Sequence, residues 1–440
     1  MDFKISPAEI EAHYAVLNKI GNLGSSLTDG FLRAGYSTAE TAAMNYFANE
    51  AGKIGLNVRR DAVGNVFIEC PGQTPEFIEC GSHLDTVPLG GNFDGAAGIV
   101  AGFAAIKAML PVAPQLQRGL RLRIWRCEES ATFGVVYCGS KAAFGGLDAD
   151  NLNRSFDGQT LADAMLSQGA DPGFITSRQA AISQTEIDNI AAHIELHIEQ
   201  GNLLEVTGKD IGIVSSIRGS QRSRVELHGQ FDHSGATPMG PAFRRDVNLG
   251  MAHILVQLDE LASRYLSQGK DLVQTVGIIN CDSGFSSASK QINQNAITKV
   301  SGYGYFTLDI RSRDNDFRSS YCDEVDKLIL DVAARFGLEV AMKVISSSPA
   351  VGSLDNNIQQ QLTSSAAELG YSTSSMPSGA GHDAVIVAQQ RRTDNSTVPV
   401  GMIFIPCRDG KSHCPEEFSS YEAIARGASV LAQTIFKLAQ

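Results

Sequence analysis

Residues able to do chemistry gather at a few places along this chain of 440 residues. His83 and Asp85 stand two apart in Gly81-Ser82-His83-Leu84-Asp85, and Asp94 lies in Gly90-Gly91-Asn92-Phe93-Asp94-Gly95. Glu128 and Glu129 are adjacent, and His197 and His413 follow far downstream. Imidazoles mixed with carboxylates are the nitrogen and oxygen donors that hard or borderline divalent metals take. Two metals sharing one carboxylate need about five such side chains, plus a free carboxylate to handle a proton. The chain supplies that number, which points to a two-metal hydrolase.

Taken singly, each motif has a plainer reading. In His83-Leu84-Asp85 the period of an extended segment puts both polar side chains on one face, so Asp85 can accept the far ring N–H of His83. A surface His and Asp near a strand end would look the same. The glycines around Asp94 also suit an ordinary turn. Adjacent carboxylates such as Glu128-Glu129 repel unless cations compensate them. If one holds metal, its neighbour is placed to take a proton from water; alone, the pair reads more simply as a solvated acidic turn. His193, Glu195, His197 and Glu199 alternate with Ile194, Leu196 and Ile198, giving a strand a polar face where burial is expected. Ser378-Gly379-Ala380-Gly381-His382-Asp383 lacks the Lys-Ser/Thr of a phosphate loop. His228 and His253 read as structural. The eight cysteines form no CxxC pair, so buried reduced thiols are expected, with Cys414 not a ligand despite its place beside His413.

These residues need a scaffold, and the first 210 residues alternate helix-like and strand-like segments. Ala39 to Ile54 and Gly95 to Leu110 have helical period. Val66 to Ile68, Phe77 to Cys80 and Leu120 to Trp125 read as strands, the last alternating Arg with Leu or Ile. Ser6-Pro7-Ala8-Glu9 carries an N-cap, a first-turn proline and a capping-box glutamate. The alternation implies an α/β sheet, with His83 and Glu128-Glu129 at the C-terminal ends of strands, where open α/β sheets place their ligands. From about Ile213 the order becomes β-α-β-β-α-β: strands at 222–228, 275–279, 304–311 and up to Val344, with helices at 246–265 and 323–336. That order resembles a ferredoxin-like unit inserted whole, with Ser346-Ser347-Ser348-Pro349 as the return linker. The expectation is a discontinuous catalytic α/β domain with a mixed sheet, residues 1–213 and 348–440, interrupted by a lid and dimerisation domain at 214–347.

Composition narrows the class. With 43% hydrophobic and 19% charged residues the chain reads as globular, and a net charge of −12 argues against nucleic acid. No apolar run approaches the ~20 residues that span a membrane. Met1-Asp2-Phe3-Lys4 opens without an apolar signal region, so a cytoplasmic location is expected.

Beyond these readings, Gly81 to Val87, Gly90 to Gly95, Glu128-Glu129-Ser130, Glu195-Leu196-His197-Ile198-Glu199-Gln200-Gly201, His233-Ser234-Gly235-Ala236-Thr237-Pro238-Met239, Ser378 to Ala384 and Ser412-His413 resemble the M20-type metallopeptidase/amidohydrolase pattern. Within it they are most similar to the branch of N-carbamoyl-L-amino-acid hydrolase, β-ureidopropionase and allantoate amidohydrolase. The resemblance implies that Asp94 bridges two divalent metals, with Glu129 and His413 completing one site and His83 and His197 the other. Glu128 would be the general base. Gln200, Gly381 and His382 match substrate-contacting positions, and Arg311 matches an arginine that grips a substrate carboxylate bidentately. His233 would reach the active site of a neighbouring subunit, implying a homodimer. Zinc suits the donors, as do manganese, cobalt or nickel. Where the family usually has an asparagine in an Asn-x-Ile-Pro context, this chain has Thr298-Lys299-Val300-Ser301. It also has Ala96-Ala97 after Gly95 and a polar stretch from Gln389 to Thr397. The expected activity is hydrolysis of a linear C–N bond, ureido or amide, in a small carboxylated molecule. An aminoacylase or dipeptidase, or a binding protein on the same fold, are the alternatives.

Overall fold

A computed structural model describes residues 3–281, 286–287, 290–291 and 296–440. It divides into two compact units, Met1–Ser216 with Ser353–Gln440, and Ile217–Gly352.

The first unit is built on an eight-stranded mixed sheet. Its strand order is Asn57–Arg60, Val66–Cys70, Gly119–Trp125, Phe77–His83, Ile190–Ile198, Val400–Ile405, Ile211–Ile217, Thr373–Ser378. The four strands from Gly119–Trp125 to Val400–Ile405 run parallel to one another, while Val66–Cys70 and Ile211–Ile217 flank them antiparallel. Parallel strands are covered on both faces, and they read as near-continuous buried runs. Gly119–Trp125 is buried throughout and Ile190–Ile198 nearly so. Ala96–Met109 packs on the sheet as an almost wholly buried helix of small residues. A Cβ at Gly98 would lie 2.2 Å from the Leu196 carbonyl oxygen, so the lack of one sets how closely this helix approaches. Tyr421–Ala439 lies against the same core, burying Ile424, Leu431 and Ile435. Each such aliphatic side chain contributes about 1.5–3 kcal/mol by leaving water.

The polar faces expected on the central strands are filled by ion pairs. Glu79 accepts from Arg121 (2.5 Å) and twice from Arg123 (2.6 and 2.7 Å), with His193 Nδ1 3.6 Å away. All four residues are buried. At the chain start, Ser6 caps the helix Pro7–Leu17 by accepting from the Glu9 amide. The Glu9 carboxylate pairs with Lys107, so it does not close the expected capping box.

The second unit has a four-stranded antiparallel sheet in the order Val273–Asn280, Tyr303–Ser312, Gly219–His228, Glu339–Ser348. Helices Val247–Ser267 and Asn315–Arg335 bury Ile254, Leu258, Tyr321 and Ile329 in a core shared with Phe306 and Leu308. Two expectations change here. Ser346, Ser347 and Ser348 are strand rather than linker, paired with Arg222, Gln221 and Ser220 past an irregularity at Val344. Backbone pairing needs no apolar side chain, so the serines hide it. The second helix starts at Asn315, eight residues before the expected Asp323, because the Asp314 side chain accepts from the Asp316 and Phe317 amides. Among the described residues no helix is long and apolar enough to cross a membrane.

Candidate metal centre

The parallel strands of the first unit bring the reactive residues to one edge of the sheet. Phe77–His83 ends on His83, Ile190–Ile198 carries His197 one residue before its end, and Gly119–Trp125 runs on into Glu128 and Glu129. Val400–Ile405 leads toward the His413 loop, and its Phe404 pairs with His197. Neighbouring parallel strands share a direction, so their C-terminal ends fall at one edge. Asp94 arrives beside them just before the helix Ala96–Met109. Gly95 has φ +65°, and a Cβ there would lie 2.5 Å from the His83 ring, so only glycine lets that turn pass the imidazole. Cys127, Gln200 and His413 also hold positive φ (50°, 58° and 58°). Non-glycine residues adopt this at a cost of about 1–2 kcal/mol, which the surrounding contacts must offset.

The carboxylate of Asp94 stands at the centre. Its Oδ1 lies 3.3 Å from His83 Nε2 and 3.1 Å from His197 Nε2, while its Oδ2 faces His413 Nε2 at 3.5 Å. Glu129 Oε1 lies 3.2 Å from the same His413 nitrogen, and Glu128 Oε2 lies 4.0 Å from His83 Nε2. Three groups of donor atoms each converge within 4.8 Å: His83 with Asp94 and His197, Asp94 with Glu129 and His413, and His83 with Glu128 and Glu129. Asp94 belongs to two of them. No cysteine joins any of these groups among the described residues.

The partners of each imidazole set its tautomer. His197 Nδ1 faces the Ile198 carbonyl oxygen at 2.9 Å, and its Nε2 accepts from the Gly95 amide. His83 Nδ1 faces the Asp85 carbonyl and carboxylate oxygens at 3.2 and 3.3 Å. A proton on His83 Nδ1 leaves its Nε2 lone pair turned toward Asp94 Oδ1, 3.3 Å away. Lone pairs that close need a proton or a cation among them. The Asp85 carboxylate does more than orient His83, since its two oxygens accept from the amides of Glu128 and Glu129, each at 3.0 Å.

Burial raises the Glu128 carboxyl well above its ordinary value, with His83 opposing and Glu129 adding to the rise. Burial also raises Asp94, but His197, His413 and His83 outweigh it and hold the carboxyl well below the usual range. Burial lowers His83, yet the bonds to Asp85 and Asp94 leave its imidazole raised well above normal. Among the described residues, the ion-pair partners of Asp85, Asp94, Glu128 and Glu129 are all histidines. A buried carboxylate cluster whose ion-pair partners are imidazoles is a donor set suited to divalent cations.

Three further expected site residues lie in this unit. Gln200 donates through Nε2 to Asp94 Oδ2 at 2.6 Å. His382 is buried, its Nε2 3.0 Å from Ser378 Oγ and its ring tilted 59° to that of His197 with centroids 4.5 Å apart. Burial, helped by His197, holds the His382 imidazole well below its usual value, which keeps it neutral. Gly381 precedes it and approaches Tyr137 so closely that a Cβ would meet the phenol oxygen. The other three belong to the second unit. His233 is exposed and its Nδ1 accepts from the Gly235 and Ala236 amides. Thr298 is exposed, and its carbonyl accepts from the Ser234 amide. Arg311 is held on the sheet by Asp309, with Nη2 at 2.7 Å.

Several residues that work on the site escaped the sequence reading. Ser412 Oγ donates to Asp94 Oδ2 at 2.8 Å, and Glu417 accepts from the Phe93 and Asp94 amides. Glu195 accepts from Ser82 Oγ and the Ala384 amide, and Asp383 accepts from Ser140 Oγ. Of these, Glu195 carried a signal as a member of the polar face with His193 and His197, and Ser412 and Asp383 as members of the resembling motifs, whereas Glu417 carried none.

Residues 80–437 match the model of Peptidase family M20/M25/M40. The N-carbamoyl-L-amino acid amidohydrolase of Geobacillus stearothermophilus is 32% identical over 432 residues, covering 96% of this chain and 97% of that protein. The allantoate amidohydrolase of Escherichia coli is 32% identical over 436 residues, covering 96% of each. The crystal structure of an amidase of the hydantoinase/carbamoylase family from Burkholderia multivorans is similar with a TM-score of 0.83 and 27% identity, covering 99% of this chain and 98% of that one.

Proposed function

The chain belongs to Peptidase family M20/M25/M40, and on that premise we propose a dinuclear metal-dependent amidohydrolase cleaving a ureido or amide C–N bond in a small carboxylated substrate. Its relatives are amidohydrolases, and the chain is a hydrolase of linear C–N bonds other than peptide bonds. The observation that carries the two-metal reading is the division of Asp94, one oxygen toward His83 and His197 and the other toward His413 beside Glu129.

His83, His197 and Asp94 would hold one cation, and Asp94, Glu129 and His413 the other; zinc suits these donors, with manganese, cobalt or nickel as alternatives. Such a pair supplies Lewis acidity at the scissile carbonyl and acidifies water. Glu128 takes a proton from the attacking water and returns it to the leaving nitrogen. Asp85 holds the Glu128 and Glu129 amides, fixing where those carboxylates stand. Gln200, Gly381 and neutral His382 bind substrate, and Arg311 takes its carboxylate as a planar fork. Thr298 stands where the family usually has asparagine. It offers a hydroxyl on a shorter stem, which favours a substrate bulkier or differently functionalised near its carboxylate than a plain N-carbamoyl-α-amino acid.

The second unit is read as a ferredoxin-like lid and dimerisation domain. It would bring His233 to the active site of a partner subunit as a donor to the oxyanion, in a cytoplasmic homodimer. The strand order and the two helices on one core support that reading. The test is a substrate panel on protein loaded with zinc or manganese, scoring ammonia release from N-carbamoyl-L-amino acids, ureidopropionate and allantoate, and freed amino acid from N-acyl amino acids. Metal-dependent turnover of a ureido acid is expected. Cleavage of N-acyl amino acids alone, or of none of the panel, would overturn the substrate class.

A further inference from the structure

Glu417 is a buried carboxylate that the proposed chemistry does not use, 4% exposed and held in the turn its own amide closes on the Cys414 carbonyl. Its Oε1 accepts from the Phe93 amide at 2.8 Å and the Asp94 amide at 2.9 Å. Its Oε2 accepts from Ser412 Oγ and from the His413 amide, both at 3.2 Å. One side chain thus ties the backbone under Asp94 to the backbone under His413, segments more than 300 residues apart. Gly91 makes room for it, because a Cβ there would lie 2.4 Å from both Glu417 Cβ and Oε1. Ser412 completes the tie, its single hydroxyl proton shared between Glu417 Oε2 and Asp94 Oδ2, the latter nearer at 2.8 Å.

We infer that Glu417 is a positioning residue that clamps the Asp94 and His413 segments together, setting the affinity of the cation that Asp94, Glu129 and His413 would share. The inference rests on the reading of Asp94 and His413 as ligands proposed above. Loose loops hold metal poorly, because ligand atoms must sit within about 0.5 Å of their working positions. Here both ligands emerge from irregular backbone, Asp94 just before the left-handed Gly95 and His413 itself left-handed. A carboxylate buried without a charged partner is costly unless donors surround it, and the four donors here all belong to the two segments being joined. Loss of groups that orient metal ligands typically weakens binding by about 10–100-fold.

The experiment is zinc titration of the metal-stripped protein by calorimetry, with bound zinc counted by elemental analysis after dialysis. Wild type is compared with Glu417→Gln and Glu417→Ala, and thermal melting monitors the fold. Wild type should bind two zinc ions per chain. Glu417→Ala should keep one tight zinc and bind the second about 10–100-fold more weakly. Glu417→Gln should fall between, because the amide oxygen can still accept from Phe93 and Asp94 while its NH2 cannot accept from His413. If the alanine variant fails to fold, the isosteric glutamine variant decides the matter. Two zinc ions bound with wild-type affinity in a folded variant overturn the inference alone. Fewer than two in wild type overturns the two-metal reading beneath it.

Discussion

Among the single residues, one buried carboxylate is proposed to move protons and another to hold metal. Glu128 belongs to a donor group with His83 and Glu129, yet Asp94 is shared by the two groups that carry the remaining ligands. Glu128→Gln is therefore expected to retain both metals and to lose about 10²–10⁴-fold in kcat, the usual contribution of a positioned base. Asp94→Ala is expected to lose metal along with activity. Elemental analysis beside steady-state kinetics checks both, and a metal-replete Glu128→Gln with near-normal kcat would show the roles to be misassigned. The reactive side chains were legible in the sequence because each sits in a short local pattern, such as His83 two before Asp85. Glu417 was not, because its partners are the amides of Phe93 and Asp94, and no local pattern records a bond to distant backbone.

At the scale of elements, the strand Phe77–His83 brings His83 to the sheet edge only because its buried interior is neutralised. Burial alone would raise the Glu79 carboxyl, but Arg123 and Arg121 outweigh it and hold it well below the ordinary carboxylate range. A carboxyl so depressed stabilises the fold fully above its unfolded value of about 4.3, and that stabilisation is lost as pH falls through the folded value. Glu79→Gln leaves Arg121 and Arg123 buried with less compensation, at a cost of about 3–5 kcal/mol at neutral pH. Urea unfolding from pH 7 down to pH 3 should show that gap narrowing on the acid side. Equal urea midpoints at pH 7 would contradict it. Element types were readable from period, including the small-residue helix at 96–109. Element ends were not, where polar backbone pairing replaced an apolar signal. Ser346 to Ser348 extend a strand by pairing with Gly219–His228, and Asp314 starts a helix at Asn315, eight residues before the expected Asp323.

For the whole molecule, the division into two units has a functional expectation. If His233 serves the site of a partner subunit, mixing inactive Glu128→Gln chains with inactive His233→Ala chains should restore activity in hybrid dimers, because one shared site then has both residues intact. A fully active monomer, or no recovery on mixing, would remove His233 from the chemistry. The change of texture near Ile213 lies close to the division between the two units at Ser216, whereas quaternary structure depends on surfaces that no motif spells out. Asp94 is proposed to stand between two cations. Anomalous diffraction from zinc-loaded crystals at the zinc edge tests it directly. The expected result is two peaks flanking the Asp94 carboxylate about 3.5–4 Å apart, one against His83 and His197 and the other against Glu129 and His413. A single peak, or two peaks that do not share Asp94, would contradict it.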